Sequence, residues 1–400
     1  MGPLTLAGIE RAARAQLPAE IWDFIEGGSE GERTLAGNRE MFDHYALRPR
    51  TLVDVSACST GTTLLGAELG LPVGIAPMAY HRLVHPDGET ATARAAGRAG
   101  ALLVAGIFAS RTLEAIAAES AGPLWLQLYW LRRRDALAAL VERAEAAGFA
   151  ALVLTVDAPR IGRRLRDLRN GFAVPSEIRA VNLDPGLTAA THRAGAGASG
   201  IAEHALEQFD PTLTWADLAW LRERTDLPLV LKGILTAEDA RLAAEHGVDA
   251  VVVSNHGGRQ LDGALPALAA LPEVAAALPP ELPLLLDGGV RTGTDIAVAL
   301  ALGARAVLVG RPVLWGLATG ERTAWPMSSA CSEPNWSTPW PCWGARARPI
   351  STAPRWPRGR CTARAPASAA RSRAVFRPQG GTELPARSGA GTRMFPRSCP

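Results

Sequence analysis

Lysine is nearly missing from this chain: Lys232 is the one lysine among 42 basic residues. Chemistry that needs an ammonium group therefore has a single address. Cysteine is scarce and unevenly placed. Cys331, Cys342, Cys361 and Cys399 fall in residues 321–400, which leaves Cys58 alone upstream. A single cysteine excludes a disulfide framework and a thiolate-ligated metal from residues 1–320, and it fits a reducing compartment. No metal site is expected. Long apolar runs are missing too. No stretch of about 18 uncharged apolar residues occurs, so no membrane-spanning helix is expected. Met1–Ala15 has no secretory pattern. The resulting expectation is a cytoplasmic protein with no membrane partner.

The chain has apolar content of 48% over 400 residues, ample for one large barrel or two domains. Its formal net charge of +3 conceals a break near residue 320. Residues 321–400 carry 13 arginines against three acidic residues, whereas residues 1–320 balance at −7. The same segment holds five of the 11 tryptophans and 12 of the 30 prolines, without apolar periodicity. One reading is a basic disordered arm that touches nucleic acid. Tryptophan and cysteine fit disorder poorly, and no folded nucleic-acid-binding motif accompanies the arginines. No nucleic-acid partner is therefore expected. The other reading is a shift of reading frame after about Gly320. Codons permitted for Ala324–Gly344, read two nucleotides later, spell Val-Ala-His-Val-Leu-Gly-Leu-Leu-Arg-Ala-Glu-Leu-Glu-His-Ala-Met-Ala-Leu-Leu-Gly, an amphipathic helix. They do so although Trp325, Met327, Trp336, Trp340 and Trp343 allow one codon each. The expected division is a folded domain over 1–320 and an unstructured tail over 321–400. With it comes an alternative, a destabilised and non-catalytic product whose last strand lacks its covering helix.

Within 1–320, apolar runs alternate with helical, alanine-rich segments. Candidate strands are Leu71–Ala79, Ala101–Gly106, Leu124–Tyr129, Ala151–Asp157, Pro228–Gly233, Ala250–Asn255, Pro283–Gly289 and Ala306–Arg311. Candidate helices include Glu89–Ala99, Asp135–Ala147, Ala237–His246 and Thr294–Leu302. This alternation implies parallel strands with crossover helices. Eight units predict an α/β fold, a closed (β/α)8 TIM barrel with a short N-terminal helical extension. An open doubly wound sheet would place a glycine-rich dinucleotide turn after its first strand, and Pro77-Met78-Ala79-Tyr80 is not one.

A barrel carries its chemistry at the C-terminal ends of its strands, and polar residues collect there. Gln127 and Tyr129 end the third strand. Thr155 and Asp157 end the fourth, with Arg160, Arg163 and Arg164 beyond. Lys232 ends the fifth, and Ser254, His256 and Arg259 follow the sixth. Asp287, Gly288, Gly289, Val290 and Arg291 end the seventh, and Gly310 and Arg311 the eighth. In Ser254-Asn255-His256-Gly257-Gly258-Arg259-Gln260-Leu261-Asp262, one loop presents an imidazole and a guanidinium. His256 can take a proton while Arg259 grips a carboxylate. Taken alone, such a motif also fits a capped turn with a satisfied histidine. Among the other strand-end groups it points to a 2-hydroxy acid substrate. The last two loops, with glycine amides and arginines, resemble a barrel phosphate site.

These residues are similar to the FMN-dependent 2-hydroxy acid oxidase and dehydrogenase family, which includes glycolate and lactate oxidases. The likeness runs from about residue 5 to 318. It rests on Arg48-Pro49-Arg50, Ala76-Pro77, His85-Pro86-Asp87-Gly88-Glu89, Gln127-Leu128-Tyr129, Thr155-Val156-Asp157, Gly162-Arg163-Arg164, Lys232-Gly233, the His256 loop and Asp287–Arg291. Ala79-Tyr80-His81-Arg82-Leu83, Leu128-Tyr129-Trp130-Leu131 and Arg163-Arg164-Leu165-Arg166-Asp167 resemble the 4-hydroxymandelate oxidase branch. The resemblance implies FMN as cofactor, dioxygen as oxidant with hydrogen peroxide as product, and a homotetramer. It implies His256 as base, Asp157 orienting it, and Arg259 with Arg164 clamping the carboxylate, while Tyr129 orients the hydroxyl. Lys232 would stabilise negative charge on the flavin. Pro77, Met78, Ala79, Gly106, Gln127, Thr155 and Ser254 would line the ring. Asp287, Gly288, Gly289, Val290, Arg291, Gly310 and Arg311 would hold the phosphate.

Three positions depart from common family members. Phe24 stands where many carry a carboxylate-binding tyrosine. Gly106 replaces a serine near the flavin, and Phe108 a bulky aromatic of the substrate pocket. With Tyr80 these imply a mandelate-type acid over glycolate. Ala79 favours an oxidase over the alternatives, a dehydrogenase passing electrons to a quinone or protein, or a lactate monooxygenase.

Overall fold

The computed structural model describes residues 5–320, apart from 49–50, 53, 55, 57–58 and 193–198. The readings of the 321–400 tail, of Pro49 and Arg50, and of Cys58 lie outside the described residues. The N-terminal extension is three helices, α1 (Leu6–Gln16), α2 (Ala19–Glu26) and α3 (Arg33–Glu40). The Thr5 hydroxyl accepts the Gly8 amide and starts α1. A two-stranded antiparallel hairpin follows, β1 (Thr62–Leu64) with β2 (Ala67–Leu69).

Eight parallel strands then close into a barrel, β10 pairing with β3. They are β3 (Val73–Ile75), β4 (Leu102–Gly106), β5 (Leu124–Leu128), β6 (Ala151–Thr155), β7 (Leu229–Ile234), β8 (Ala250–Val253), β9 (Leu284–Asp287) and β10 (Ala306–Val309). The helices after β3 to β6 are α4 (Glu89–Arg98), α5 (Leu113–Glu119), α6 (Arg134–Ala146) and α7 (Leu165–Asn170). Then come α8 (Pro185–Thr188), α9 (Gly200–Gln208) and α10 (Leu218–Arg222). The last four are α11 (Ala237–Glu245), α12 (Ala267–Ala277), α13 (Gly293–Ala301) and α14 (Arg311–Ala318).

Strand periodicity explains where the chemistry sits. Alternate side chains point inward, and Val104, Trp125, Val153, Val230, Val252, Leu285 and Leu308 form one buried interior cluster. Leu64 and Leu69 of the hairpin join that cluster. Two residues further along, the same inward face carries Gly106, Gln127, Thr155, Lys232, Ser254, Asp287 and Gly310. The interior is thus apolar below and polar at the C-terminal pole. The register of β7 on β8 shifts between Lys232 and Ile234. This bulge at Gly233 re-aims the chain beside the one lysine.

Three expectations change. Strands expected to reach Ala79, Asp157, Gly289 and Arg311 end at Ile75, Thr155, Asp287 and Val309. Pro77 has no amide for the ladder, and Gly288 and Gly289 turn left-handed at φ +94° and +83°. The long segment Gly171–Asp210 after β6, whose alanine and glycine content leads one to expect a loop, contains α8 and α9. The final strand is followed at once by α14, in which Val313, Leu314, Trp315 and Leu317 are buried; the covering helix expected to be lost was read from residues 324–344, which lie outside the described residues. Arg311 accordingly opens a helix instead of ending a strand.

Candidate active site

The polar pole opens into a cleft of about 1250 Å³, continuous with solvent at its mouth. His256 lines it in a left-handed conformation, φ +59°, which is uncommon for any residue other than glycine. Gly257 and Gly258 continue that backbone at φ +64° and +77°. A Cβ on Gly258 would lie 2.6 Å from the Leu35 backbone, so the loop packs against α3 only with glycine there. The paired amides of Asn38 and Asn255, 2.8 Å apart in both directions, fix the loop's base. Asp262 accepts the Gly31 and Thr34 amides. The N-terminal helices therefore hold the His256 loop, a role the sequence reading missed.

His256 Nδ1 lies 2.8 Å from Asp157 Oδ1, and Nε2 lies 3.4 Å from the Tyr129 hydroxyl. Burial pushes the imidazole below its ordinary value, and Asp157 pulls it back only in part. The ring is thus neutral near pH 7. With Nδ1–H donated to Asp157, Nε2 is the free acceptor. Burial would raise Asp157, but His256 and Lys232 outweigh it, and the carboxyl sits below its usual range. Burial pushes the Tyr129 hydroxyl up to about 12, so it remains a donor. Lys232 Nζ donates to Ser254 Oγ at 3.0 Å and pairs with Asp287 Oδ2 at 3.1 Å. Burial would lower Lys232, yet Asp287 and Asp157 keep it above its usual value and charged.

Positive charge is concentrated here. Arg164, Arg259, Arg291 and Arg311 all line the cleft. Arg259 is pushed well down by burial and by its neighbours Arg164 and Arg311. Burial and Arg311 bring Arg291 to about 10. Burial and like-charged neighbours disfavour the charged form, and an anion placed among these guanidiniums would favour it. Arg259 and Arg311 are held meanwhile by backbone carbonyls, both donating to Gly27 and Ile25. Phe24 stacks on Phe172 at 4.4 Å between centroids and lies under Arg259, 5.4 Å from its guanidinium carbon.

The structure brings most of the expected residues to the cleft: Pro77, Met78, Ala79, Phe108, Thr155 and the glycine loops Gly288–Val290 and Gly310 all line it. Four stand behind the wall. Asp157 backs His256, and Ser254 also accepts the His256 amide at 3.0 Å. Gln127 donates to Thr155 at 3.0 Å. Gly106 lies against Met78, where a Cβ would meet the Met78 carbonyl at 3.3 Å. Asp287 does not suit a phosphate, because a carboxylate is acceptor-only. Its buried Oδ1 has no partner and suits a hydroxyl donor. The sequence reading missed Ile201, His204, Ala205 and Phe209. The first three sit at i, i+3 and i+4 on α9, the amphipathic spacing that could have flagged them. Phe209 is pinned over Tyr129, ring centroids 4.4 Å apart, because the Asp210 amide bonds the Trp130 carbonyl.

A barrel with a histidine–aspartate pair, one buried ammonium and four guanidiniums at its pole is an enzyme for anionic cofactor and anionic substrate. The chain belongs to the FMN-dependent dehydrogenase family, matched over residues 13–325. It is 50% identical over 315 residues to a 4-hydroxymandelate oxidase of Amycolatopsis orientalis, covering 79% of this chain and 87% of that one. It is 48% identical over 322 residues to an L-lactate oxidase of Nostoc sp., covering 80% and 88%. A crystal structure of mandelate oxidase with (S)-4-hydroxymandelic acid superposes with TM-score 0.83 at 46% identity, covering 86% of this chain and 98% of that one.

FMN fits the residues present. Arg291 and Arg311, depressed by burial and crowding, await a phosphate at the start of α14, where helix amides also favour an anion. The unpartnered Asp287 Oδ1 suits a ribityl hydroxyl. The charged Lys232 stands on the polar inward layer, where an electron-rich ring edge would be stabilised. Among the described residues no group of acidic, histidine or cysteine side chains could hold a metal, and no helix is long and apolar enough to cross a membrane.

Proposed function

We propose that this protein oxidises (S)-2-hydroxy acids carrying an aromatic ring to 2-oxo acids, with dioxygen as the final oxidant. Bound FMN supplies the two-electron acceptor that dioxygen reoxidises with release of hydrogen peroxide. The substrate carboxylate is taken by Arg259 and Arg164, whose charges oppose one another until an anion arrives. Tyr129, kept protonated, orients the 2-hydroxyl. His256 Nε2 receives a proton from the substrate, and Asp157 holds Nδ1–H and steadies the imidazolium. Phe24 and Phe209 close the site with apolar surface and limit water.

The aromatic preference is carried by one observation: the cleft wall beside Tyr129 is built of rings. Phe108 lies 5.7 Å from Tyr129, 6.1 Å from Phe209 and 6.3 Å from Tyr80, all between centroids. Such a wall rewards an aryl group and gives a methyl group or hydrogen little to touch. Steady-state rates with (S)-mandelate, (S)-4-hydroxymandelate, lactate and glycolate test this. A higher kcat/KM for the aryl acids is expected, and a preference for glycolate would overturn it. Denatured holoprotein should release FMN, whereas FAD would contradict the site. The frame-shift reading of residues 321–400 remains a proposal resting on composition, and the gene's nucleotide sequence across codon 320 tests it. A cytoplasmic location and a homotetramer are likewise proposals, tested by fractionation and light scattering.

A further inference from the structure

His204 is a polar group of the cleft that the proposed reaction does not use. It stands on α9, is 1% exposed, and lines the cleft wall. Its ring meets Phe108 edge-on at 5.1 Å and Phe209 edge-on at 6.3 Å. Neither ring nitrogen has a partner in hydrogen-bond geometry. The Leu187 carbonyl acts on the ring only weakly, and burial brings its pKa down to about 4. A neutral imidazole is left with one donor and one acceptor unspent in an aromatic wall. Burying such a group without a partner is costly, so the arrangement makes sense when something fills it. The occupant must arrive between aromatic rings and offer a hydrogen bond of its own.

We propose that His204 is a specificity-determining residue, whose imidazole binds a hydroxyl substituent on the aryl ring of the substrate. This rests on the reading that the site takes aryl 2-hydroxy acids, and it adds the chemistry at the ring's far end. A phenolic hydroxyl matches the imidazole in both senses, donating to one nitrogen or accepting from the other. Tyr80 is the competing group. Its hydroxyl is also buried without a partner in hydrogen-bond geometry, and its ring stacks on Phe108 at 6.3 Å.

The test is the ratio of kcat/KM for (S)-4-hydroxymandelate to that for (S)-mandelate, in the wild-type holoenzyme and in His204→Phe, His204→Gln and Tyr80→Phe. One neutral hydrogen bond is worth roughly 0.5–1.5 kcal/mol, so the ratio should fall by about 2- to 10-fold in His204→Phe. It should be largely kept in His204→Gln, which still offers a donor and an acceptor. Calorimetric binding of 4-hydroxyphenylacetate and phenylacetate, which lack the reacting hydroxyl, should show the same change. If His204→Phe does not fold, a kept ratio in His204→Gln is replaced as the test by His204→Leu in the binding assay. An unchanged ratio in His204→Phe, or a fall only in Tyr80→Phe, overturns the proposal while leaving aryl acid oxidation intact. A wild-type enzyme that oxidises lactate and neither aryl acid overturns the function reading itself.

Discussion

Replacing Asp157 with asparagine keeps the shape of the residue and removes its charge. Asp157 Oδ1 is 2.8 Å from His256 Nδ1, and both groups are largely shielded from solvent, the side chains 12% and 17% exposed. When Nε2 receives a proton, this contact becomes a charge-assisted hydrogen bond, worth roughly 1.5–3 kcal/mol. With a factor of ten for each 1.36 kcal/mol, cofactor reduction at saturating substrate should slow by roughly 10- to 150-fold. The pH dependence should move as well. Burial holds the His256 pKa below its ordinary 6.5, and Asp157 is the group that lifts it. The base form is therefore present above that lowered pKa, and the acid limb of kcat/KM in the wild type lies below pH 6.5. Without the carboxylate, the limb moves further down. Anaerobic stopped-flow absorbance of the bound flavin, recorded with (S)-mandelate from about pH 5 to 8, measures both effects. An unchanged rate, or an acid limb that moves upward, would refute the pairing.

Three further outcomes are expected. Arg259→Met should raise KM for carboxylate substrates by roughly 10- to 150-fold, the worth of a charged hydrogen bond, with less effect on cofactor reduction at saturation; an unchanged KM would remove Arg259 from the clamp. Gly258→Ala should cost about 1–3 kcal/mol or more in a denaturant titration, because residue 258 sits at φ +77° and the new methyl meets the Leu35 backbone at 2.6 Å. The folded-state pKa of His204 is about 4, below its ordinary 6.5, so stability is full above pH 6.5 and is lost as pH falls towards 4. His204→Phe should flatten that part of the curve of thermal midpoint against pH, and an unaltered slope would contradict the burial.

Much of the site was legible because barrel strands alternate strictly. Apolar runs announced eight strands, and the polar residues ending them, Gln127 to Arg311, could be assigned to one pole without coordinates. The His256 loop was legible because imidazole, glycines and guanidinium lie within four residues. The N-terminal lock was not. Asn38 and Asn255 are 217 residues apart and carry no local signature of their pairing. His204 and Phe209 were hidden for a similar reason: α9 lies in a segment whose alanine and glycine content reads as a loop. Strand ends were overrun because Asp287, the last residue of β9, runs straight into Gly288 and Gly289, and the turn lies in their positive φ, which sequence spacing does not show. The start of α14 was passed over because Pro312 reads as a breaker, although proline is well tolerated in a helix's first turn.

The packing of the first helix against the last has a consequence for synthesis. Ile9, Ala13 and Trp22 share one buried cluster with Trp315, whose indole donates to Glu26 at 2.6 Å. The ribosome makes Phe24 near the beginning and Arg311 some 290 residues later, an interval of roughly 15–60 s at ordinary elongation rates. Throughout that interval α1 and α2 have no α14 to rest on, β3 has no β10 to pair with, and the phosphate cradle has no Arg311. With Arg311 in the phosphate cradle, as proposed, FMN would be captured only after nearly all of the barrel has left the exit tunnel. Flavin uptake reports that both ends have been made and have met, and the yellow colour of a preparation counts finished barrels, not merely polypeptide.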